Sequence, residues 1–247
     1  MFKKLKASLG IGAAKVDTIL DSIDIVQGGE LTGQVHILGG DVEQQIDAIN
    51  LVLNTEVKVE TEDSTSYETF SLGRIQAVES FVVQPGEVKQ VPFRLQLNPE
   101  TPITELNVLK NQTHVWVETT LDIDFAIDPK DRDFVQIKPL PVVSKVIGAI
   151  EASGMTMVKA DVEKGYLKSN NFSSRSGCYQ ELEFRSGGFV NNKEVELSFV
   201  LEGEMVHCLA EVDRALSFRG DQYTSFSLSM NASDSEVANA VRHVLSL

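Results

Sequence analysis

The sequence has few of the features that mark several common classes of protein. It contains two cysteines, Cys178 and Cys208, at a separation that matches no metal-binding motif. No apolar run approaches the roughly 20 residues that a transmembrane helix needs. The N-terminus has lysines without the apolar stretch of a secretory signal. We therefore expect a cytoplasmic protein with reduced, buried thiols, a disulfide between the two cysteines being the less favoured alternative.

Positive charge is scarce. Lys and Arg number 22 against 36 Asp and Glu, which gives the 247 residues a net charge of −14. Residues 1–15 carry +4, residues 16–137 carry −15 and residues 138–247 carry −3. Nucleic-acid binding needs a basic surface that neutralises phosphates, so this composition argues against it. An acidic body suits basic partners, or simply solubility.

The motifs of common enzyme classes are also missing. The sequence has no Gly-x-Ser-x-Gly, no Gly-x-x-x-x-Gly-Lys and no His-Glu-x-x-His. Cys178 could form a nucleophile pair with a distant histidine, but any chain with two cysteines and four histidines offers that pairing. We expect no catalytic residues, no cofactor and no metal ion.

What the sequence does contain is a succession of strand patterns. Apolar and polar residues alternate over Leu31–Leu38, Ile46–Val59 and Met155–Tyr166. Turn residues such as Gln84-Pro85-Gly86-Glu87 separate these segments. Glu194–Val212 is long enough for a hairpin that turns at Glu202-Gly203-Glu204. Short strands at regular spacing predict antiparallel β-sandwiches.

Two segments have helical periodicity instead. Apolar residues recur at helical spacing in 139–153 after two prolines, and again in 234–247 after the cap candidates Ser233 and Ser235. We therefore predict an all-β protein of two antiparallel β-sandwich domains with three short helices. The predicted boundaries are an N-terminal amphipathic segment (1–15), a first sandwich (16–138), a linker helix (139–153) and a second sandwich with a terminal helix (154–247).

The N-terminal segment has two interpretations. Residues 2–13 can form a short helix with Phe2, Leu5 and Leu9 on one face and lysines beside them. Such a helix could anchor the protein to a membrane surface or a partner, weakly because it has only three large apolar residues. The favoured alternative is that it packs on the acidic body. The candidate anchor residues are Phe2, Lys3, Lys4, Leu5 and Lys6.

A loop in the second half is a candidate binding site. Asp213–Tyr223 contains arginines and aromatic residues, which are enriched at protein interfaces. The alternative is an ordinary loop whose Phe218 folds inward. The interaction candidates are Arg214, Phe218, Arg219 and Tyr223.

Several motifs, in order along the chain, resemble the bacterial sporulation-control proteins of the SpoOM type. They are Gly10–Thr18, Gln84–Glu87, Thr119–Ile123, Val158–Gly165, Ser176–Glu181 and Gly220–Tyr223. The resemblance implies an arrestin-like fold of two β-sandwich domains. It also implies a cytoplasmic regulatory role without catalysis. One departure is Gly28-Gly29-Glu30, where arrestin-like domains usually have Pro-Gly-Glu.

The most acidic stretch, Val115–Ile137, is a predicted strand, acidic turn and return strand. A calcium loop would need an enabling glycine and a distal bidentate glutamate, which this stretch lacks. By analogy with arrestins, we predict instead an interdomain charge network that fixes the angle between the domains. A solvated acidic face is the alternative. The network residues are Asp122, Asp124, Asp128, Asp133, Lys130 and Arg132.

We therefore expect a non-enzymatic scaffold or adaptor that binds protein partners and not nucleic acid. Its means would be exposed sheet edges that accept a partner strand, and the groove between the domains. A homodimer is possible on the same grounds. The alternative function is a peripheral membrane adaptor recruited by the basic N-terminal helix.

Overall fold

The computed structural model describes residues 12–61, 64–78, 80–108, 110–123, 127–187, 193–214 and 222–247. Over these residues the chain is mostly β-strand, with two helices. The predictions for the anchor residues 2–6, Asp124, Phe218 and Arg219 lie outside them, as does the side chain of Arg214.

The described part of the first half consists of strands and the loops that join them. The strands are β1 (Lys15–Leu20), β2 (Asp24–Val26), β3 (Glu30–Leu38), β4 (Gln44–Glu60), β5 (Thr65–Val78), β6 (Phe81–Val83), β7 (Val88–Gln96), β8 (Lys110–Asn111), β9 (Val115–Ile123), β10 (Lys130–Phe134) and β11 (Gln136–Lys138). One sheet has the order β1-β3-β7, and in a second sheet the long β4 pairs with both β5 and β9, while β10 follows β9. A short parallel pair joins β2 to β11.

The second half is an antiparallel meander of five strands between two helices. Its elements are α1 (Pro141–Ala152), β12 (Met155–Lys164), β13 (Cys178–Ser186), β14 (Lys193–Glu202), β15 (Met205–Arg214), β16 (Gln222–Ser229) and α2 (Asp234–Ser246). Gly203 supplies the positive φ of 59° in the turn between β14 and β15. A single parallel bridge between Glu163 and Lys58 joins β12 to β4 of the first half.

Apolar side chains form two main clusters. The first lies among β3, β4, β7 and β9 and includes Leu31, Ile49 and Leu121. The second lies between the helices and the inner face of β12–β16 and includes the fully buried Phe184. The second cluster also contains Ile103, which precedes the predicted domain boundary near residue 138. The domain limits remain a prediction.

The second half differs from the predicted sandwich in what covers its sheet. Over the residues with described placement, α1 and α2 pack on the inner face of β12–β16, where a sandwich has a second sheet. The reason is the apolar stripe of each helix. Val142, Val146 and Ile150 of α1 are buried, as are Val237, Val241 and Val244 of α2. Neither helix is long and apolar enough to cross a membrane.

The start of α2 is fixed by a capping box. The Ser233 side chain accepts a hydrogen bond from the Glu236 backbone N–H, and the Glu236 carboxylate accepts one from the Ser233 N–H. These bonds satisfy two donors that a helix N-terminus otherwise leaves without partners. The cap thus holds the first turn from which Val237 reaches the core.

We expect Ser233→Ala to reduce the free energy of unfolding by about 1 kcal/mol because the first turn of α2 loses its cap. Urea denaturation followed by circular dichroism measures this change. Ser246→Ala, at the other end of the same helix, is the matched control and is expected to have a smaller effect. Equal losses in the two variants would contradict the role of the cap.

Candidate functional site

The outer face of the β12–β16 sheet, opposite the helices, carries most of its charge. Alternation along each strand sends apolar residues inward and charged residues outward. Glu183 lies directly opposite Glu196, which lies directly opposite Glu211. We call these three glutamates, on β13, β14 and β15, the carboxylate ladder. Like charges at directly opposite positions destabilise a sheet, so the ladder opposes the stability of the strands that carry it.

Each end of the carboxylate ladder meets a different residue. Lys159 of β12 lies opposite Glu183. Tyr223 of β16 lies opposite Glu211, and its hydroxyl donates to Glu211 Oε1 at 2.7 Å. The ladder therefore runs across the sheet between Lys159 on β12 and the phenol of Tyr223 on β16.

A second row of acids lies beside the ladder, where Asp161 faces Glu181. Burial, reinforced by the charges of Glu196 and Glu163, raises the pKa of Glu181 to about 8. Burial and the nearby Glu211 raise the pKa of Glu196 to about 7. At neutral pH these two carboxyl groups therefore retain part of their protons, which reduces the repulsion within the sheet.

A partly buried lysine from the first half joins this face. Lys58 Nζ on β4 lies 3.0 Å from Glu163 Oε1 and 3.6 Å from Asp161 Oδ2. Asp161 is only 2% exposed. Burial disfavours the charge of Lys58, but hydrogen bonds to Glu60 and Glu163 outweigh burial and raise its pKa. The lysine ammonium therefore pairs with acids of β12 where the two halves of the chain meet.

Hydrogen bonds strengthen the same junction. The Glu100 carboxylate accepts from the backbone N–H of Arg175 at 2.8 Å and of Ser176 at 2.7 Å. The Gln180 side chain accepts from the Ile103 N–H at 2.8 Å and donates to the Ile103 carbonyl at 2.7 Å. The segment before β8 is thus fixed to β13 and to the loop that precedes it.

Two triplets of carboxylates could share a cation on geometry alone. Within Asp161, Glu163 and Glu181, and within Glu183, Glu194 and Glu196, ligand oxygens lie within 4.8 Å of one another. Basic side chains already contact both groups. Lys58 and Lys159 pair with Asp161, and Arg185 Nε lies 3.1 Å from Glu194 Oε2. These bases supply the positive charge that a metal ion would otherwise bring.

A loop covers the other end of the outer face. Leu167 and Phe172, in the connection between β12 and β13, pack with Val200 of β14. The Phe172 ring also stacks on His207, with centroids 4.9 Å apart. Tyr179, at the start of β13, packs against this small cluster. The loop therefore covers the apolar end of the face. It does not cover the carboxylate ladder, which lies at the other end.

The residues of the predicted interdomain charge network have several different partners. Lys130 and Arg132 both pair with Glu118, at 3.1 and 3.4 Å, across the β9–β10 hairpin. Asp128 Oδ1 accepts from the Ile123 N–H at 3.0 Å. Alternation along β10 sends Asp133 to the opposite face from Arg132, so the two do not share a side of the hairpin.

Asp122 is exposed, and Asp133 lies among other acids. Burial, together with Asp131 and Asp17, raises the pKa of Asp133 to about 6. Asp124 lies outside the described residues. The proposed effect of the network on the interdomain angle remains a prediction, which unchanged stability and solution shape in Asp122→Ala and Asp124→Ala would overturn.

Of the interaction candidates, Tyr223 is the one whose side chain is described. It is 62% exposed and adjoins the carboxylate ladder through Glu211. No local sequence pattern marks Lys58, Glu181 or the ladder itself as a site. The sequence shows acids at alternate positions of three strands, but it does not show the strand register that aligns them.

Both cysteines are free and buried, as expected. Burial raises the pKa of the Cys178 thiol to about 11 and raises that of Cys208 as well. Both thiols are therefore almost entirely protonated at neutral pH, and a protonated thiol is a poor nucleophile.

Fold and site together define a β-rich protein whose most strongly perturbed carboxyl groups lie on an acidic sheet face. Residues 2–216 match the model of the family described as SpoOM protein, and the chain belongs to that family. It is 37% identical, over 223 residues, to the sporulation-control protein spo0M of Bacillus subtilis (strain 168). That alignment covers 89% of this chain and 83% of the relative.

The fold agrees with a solved structure of the same family. The crystal structure of Spo0M, sporulation control protein, from Bacillus subtilis superposes with a TM-score of 0.79 at 30% identity. The match covers 96% of this chain and 97% of that one. The resemblance inferred from the sequence motifs is therefore confirmed.

Proposed function

We propose that the chain is a non-enzymatic regulatory protein, of the sporulation-control kind, that acts in the cytoplasm by binding protein partners. The observation that carries the proposal is the carboxylate ladder. Arg185 pairs with Glu183, but Glu196 and Glu211 face each other without a salt-bridge partner among the described residues, so stability does not account for this facing pair. A basic partner surface that neutralises them does. Features that oppose stability are typical of functional surfaces.

Other observations support a binding role over catalysis. The thiol of Cys178 is the candidate nucleophile in the sequence, and its pKa of about 11 leaves little thiolate to react at neutral pH. The relative's description as a sporulation-control protein supports a regulatory role. We further propose an arrestin-like arrangement of two β domains, the second completed by α1 and α2 in place of a second sheet.

Affinity capture from the native cell tests this function. We expect the intact protein to retain specific partners, and Glu196→Gln/Glu211→Gln to retain about fivefold less of them because two carboxylates of the ladder are lost. Asp47→Asn/Glu151→Gln is the control, since it removes the same charge from exposed positions elsewhere. An Arg214/Phe218/Arg219 triple alanine variant reports on the interaction candidates in the 213–223 loop. Capture of the same proteins, in equal amounts, by the ladder variant and by the intact chain would contradict the role of the ladder.

The +4 charge of residues 1–15 favours a second candidate, recruitment to an anionic membrane surface. Co-sedimentation with phosphatidylserine vesicles distinguishes the two functions. Binding that disappears when residues 1–14 are removed supports the membrane adaptor. Equal sedimentation of the intact and truncated chains excludes it.

A further inference from the structure

Strand β16 presents an open edge. It pairs with β15 along all eight of its residues, Gln222 to Ser229, without a shift in register. Along its other edge it has no partner strand among the residues with described placement. Its sequence, QYTSFSLS, has neither a charged residue nor a proline. A regular, uncharged edge of this length is a template for pairing with another chain.

The other long edge strands carry the usual protection against such pairing. β10 consists largely of charged residues, Lys130 to Asp133. β7 contains Pro92, which has no N–H to donate. β5 pairs with β4 through two register shifts, which disrupt the regularity of that edge. β16 has none of these devices, and this difference indicates that its edge serves to bind.

We propose that the open edge of β16 binds an extended protein segment with Lys or Arg at alternate positions, as the sixth strand of the β12–β16 sheet. The inference rests on the proposed function as a protein-binding regulator and specifies the surface and the partner. Main-chain hydrogen bonds to β16 would provide affinity, and alternate side chains would provide specificity.

The charge of the partner follows from the face on which its side chains lie. Every second residue of an added strand projects to the outer face, beside Tyr223, Ser225 and Ser227. A long basic side chain beside Tyr223 can extend toward Glu211, and Glu196 on the next strand adds its charge to the attraction. A second copy of this chain would bring another acidic face to the same edge, and with a net charge of −14 on each copy it would be repelled.

The loop that covers the apolar end of the face limits where the basic residues bind. Ser169 Oγ lies 2.9 Å from Ser225 Oγ, and the neighbouring Lys168 is exposed. This lysine disfavours a basic side chain near Ser225 and beyond. The strongest basic position is therefore expected beside Tyr223, at the ladder end of β16.

A synthetic peptide of alternating lysine and threonine, eight residues long with blocked ends, is the probe. We expect the full chain to bind it in isothermal titration calorimetry, with slower hydrogen exchange at the amides of Gln222–Ser229. N-methylation of the backbone amides along one edge of the peptide keeps every charge but removes the N–H groups that would donate to β16. It is therefore expected to abolish binding. A peptide of the same composition with its lysines contiguous is expected to bind more weakly, because alternation then no longer places them on one face.

The protein variants test the charge. Glu196→Gln/Glu211→Gln is expected to weaken peptide binding about fivefold and to reduce its salt dependence, whereas Asp47→Asn/Glu151→Gln is expected to leave both unchanged. Undiminished binding of the N-methylated peptide would overturn the proposal, and so would unchanged affinity in the ladder variant. A dimer of the intact chain that protects the β16 amides would overturn it in favour of a second copy. If cellular partners are captured but the peptide results fail, the proposed function stands without this edge.

Discussion

Lys58→Met is expected to lower the free energy of unfolding by about 3 kcal/mol, because it removes the cation that pairs with Glu163 and one of the two that pair with the buried Asp161. Methionine keeps the apolar part of the side chain and removes the ammonium, which lies 3.0 Å from Glu163 and 3.6 Å from Asp161. Loss of one member of a buried pair typically costs about 3–5 kcal/mol. The lower value is expected here since Lys159 also pairs with Asp161. Urea denaturation at pH 7.5 measures the change.

A neighbouring ion pair provides the control for Lys58. Lys164 Nζ lies 3.2 Å from Glu68 Oε2, and both side chains are about half exposed. Lys164→Met is expected to cost less than about 1 kcal/mol, as exposed pairs do. Adding Asp161→Asn to Lys58→Met is expected to recover part of the loss, since the amide carries no charge. If Lys58→Met costs no more than the control, the buried pair does not stabilise the junction.

Glu181→Gln is expected to stabilise the protein by about 2 kcal/mol at pH 8.5 and to have little effect at pH 4.5. The pKa of Glu181 is raised from 4.5 to about 8 in the fold by burial and by the acids around it. Between those two values the unfolded chain has released the proton that the folded chain still binds. Stability contributed by this group is therefore highest at low pH and falls as pH rises toward 8. Glutamine cannot ionise, so the variant does not lose this stability as the pH rises.

The measurement is the difference in unfolding free energy between Glu181→Gln and the natural chain, taken at half-unit steps from pH 4.5 to 8.5. Using the difference cancels the titration of the remaining acids. Glu151→Gln, at an exposed position of α1, is the control and is expected to stay within about 0.5 kcal/mol at every pH. A stabilisation that is the same at both ends of the range would show that the change in packing, and not ionisation, is responsible.

Local patterns account for much of the fold that could be predicted. Alternation over Leu31–Leu38 predicts a strand because residues two apart share one face, and β3 covers Glu30–Leu38. Ser233 was one of two cap candidates before α2, and it is the residue that caps the helix, because its side chain reaches the Glu236 N–H within a single turn. The order of short motifs pointed to the family. Each of these signals lies within a few residues along the chain.

The site depended on contacts that no local pattern contains. Lys58 and Glu163 are 105 residues apart, and only the bridge between β4 and β12 brings them together. Lys130 and Arg132 were expected to meet aspartates, but the pairing of β10 with β9 places Arg132 opposite Glu118, and both bases pair with that glutamate. Packing likewise decided that two helices, and not a second sheet, cover the inner face of β12–β16. The apolar stripe of a helix does not specify which surface it will cover.

The sequence by itself thus determined the strands, the helices, the acidic balance and the family, because these follow from composition, periodicity and motif order. Tertiary structure alone decided the carboxylate ladder, the partly buried Lys58 and the open edge of β16. The physical reason is that strand register and strand order are properties of pairing between distant segments. A shift of one residue in any of β13, β14 or β15 would have sent its glutamate to the other face.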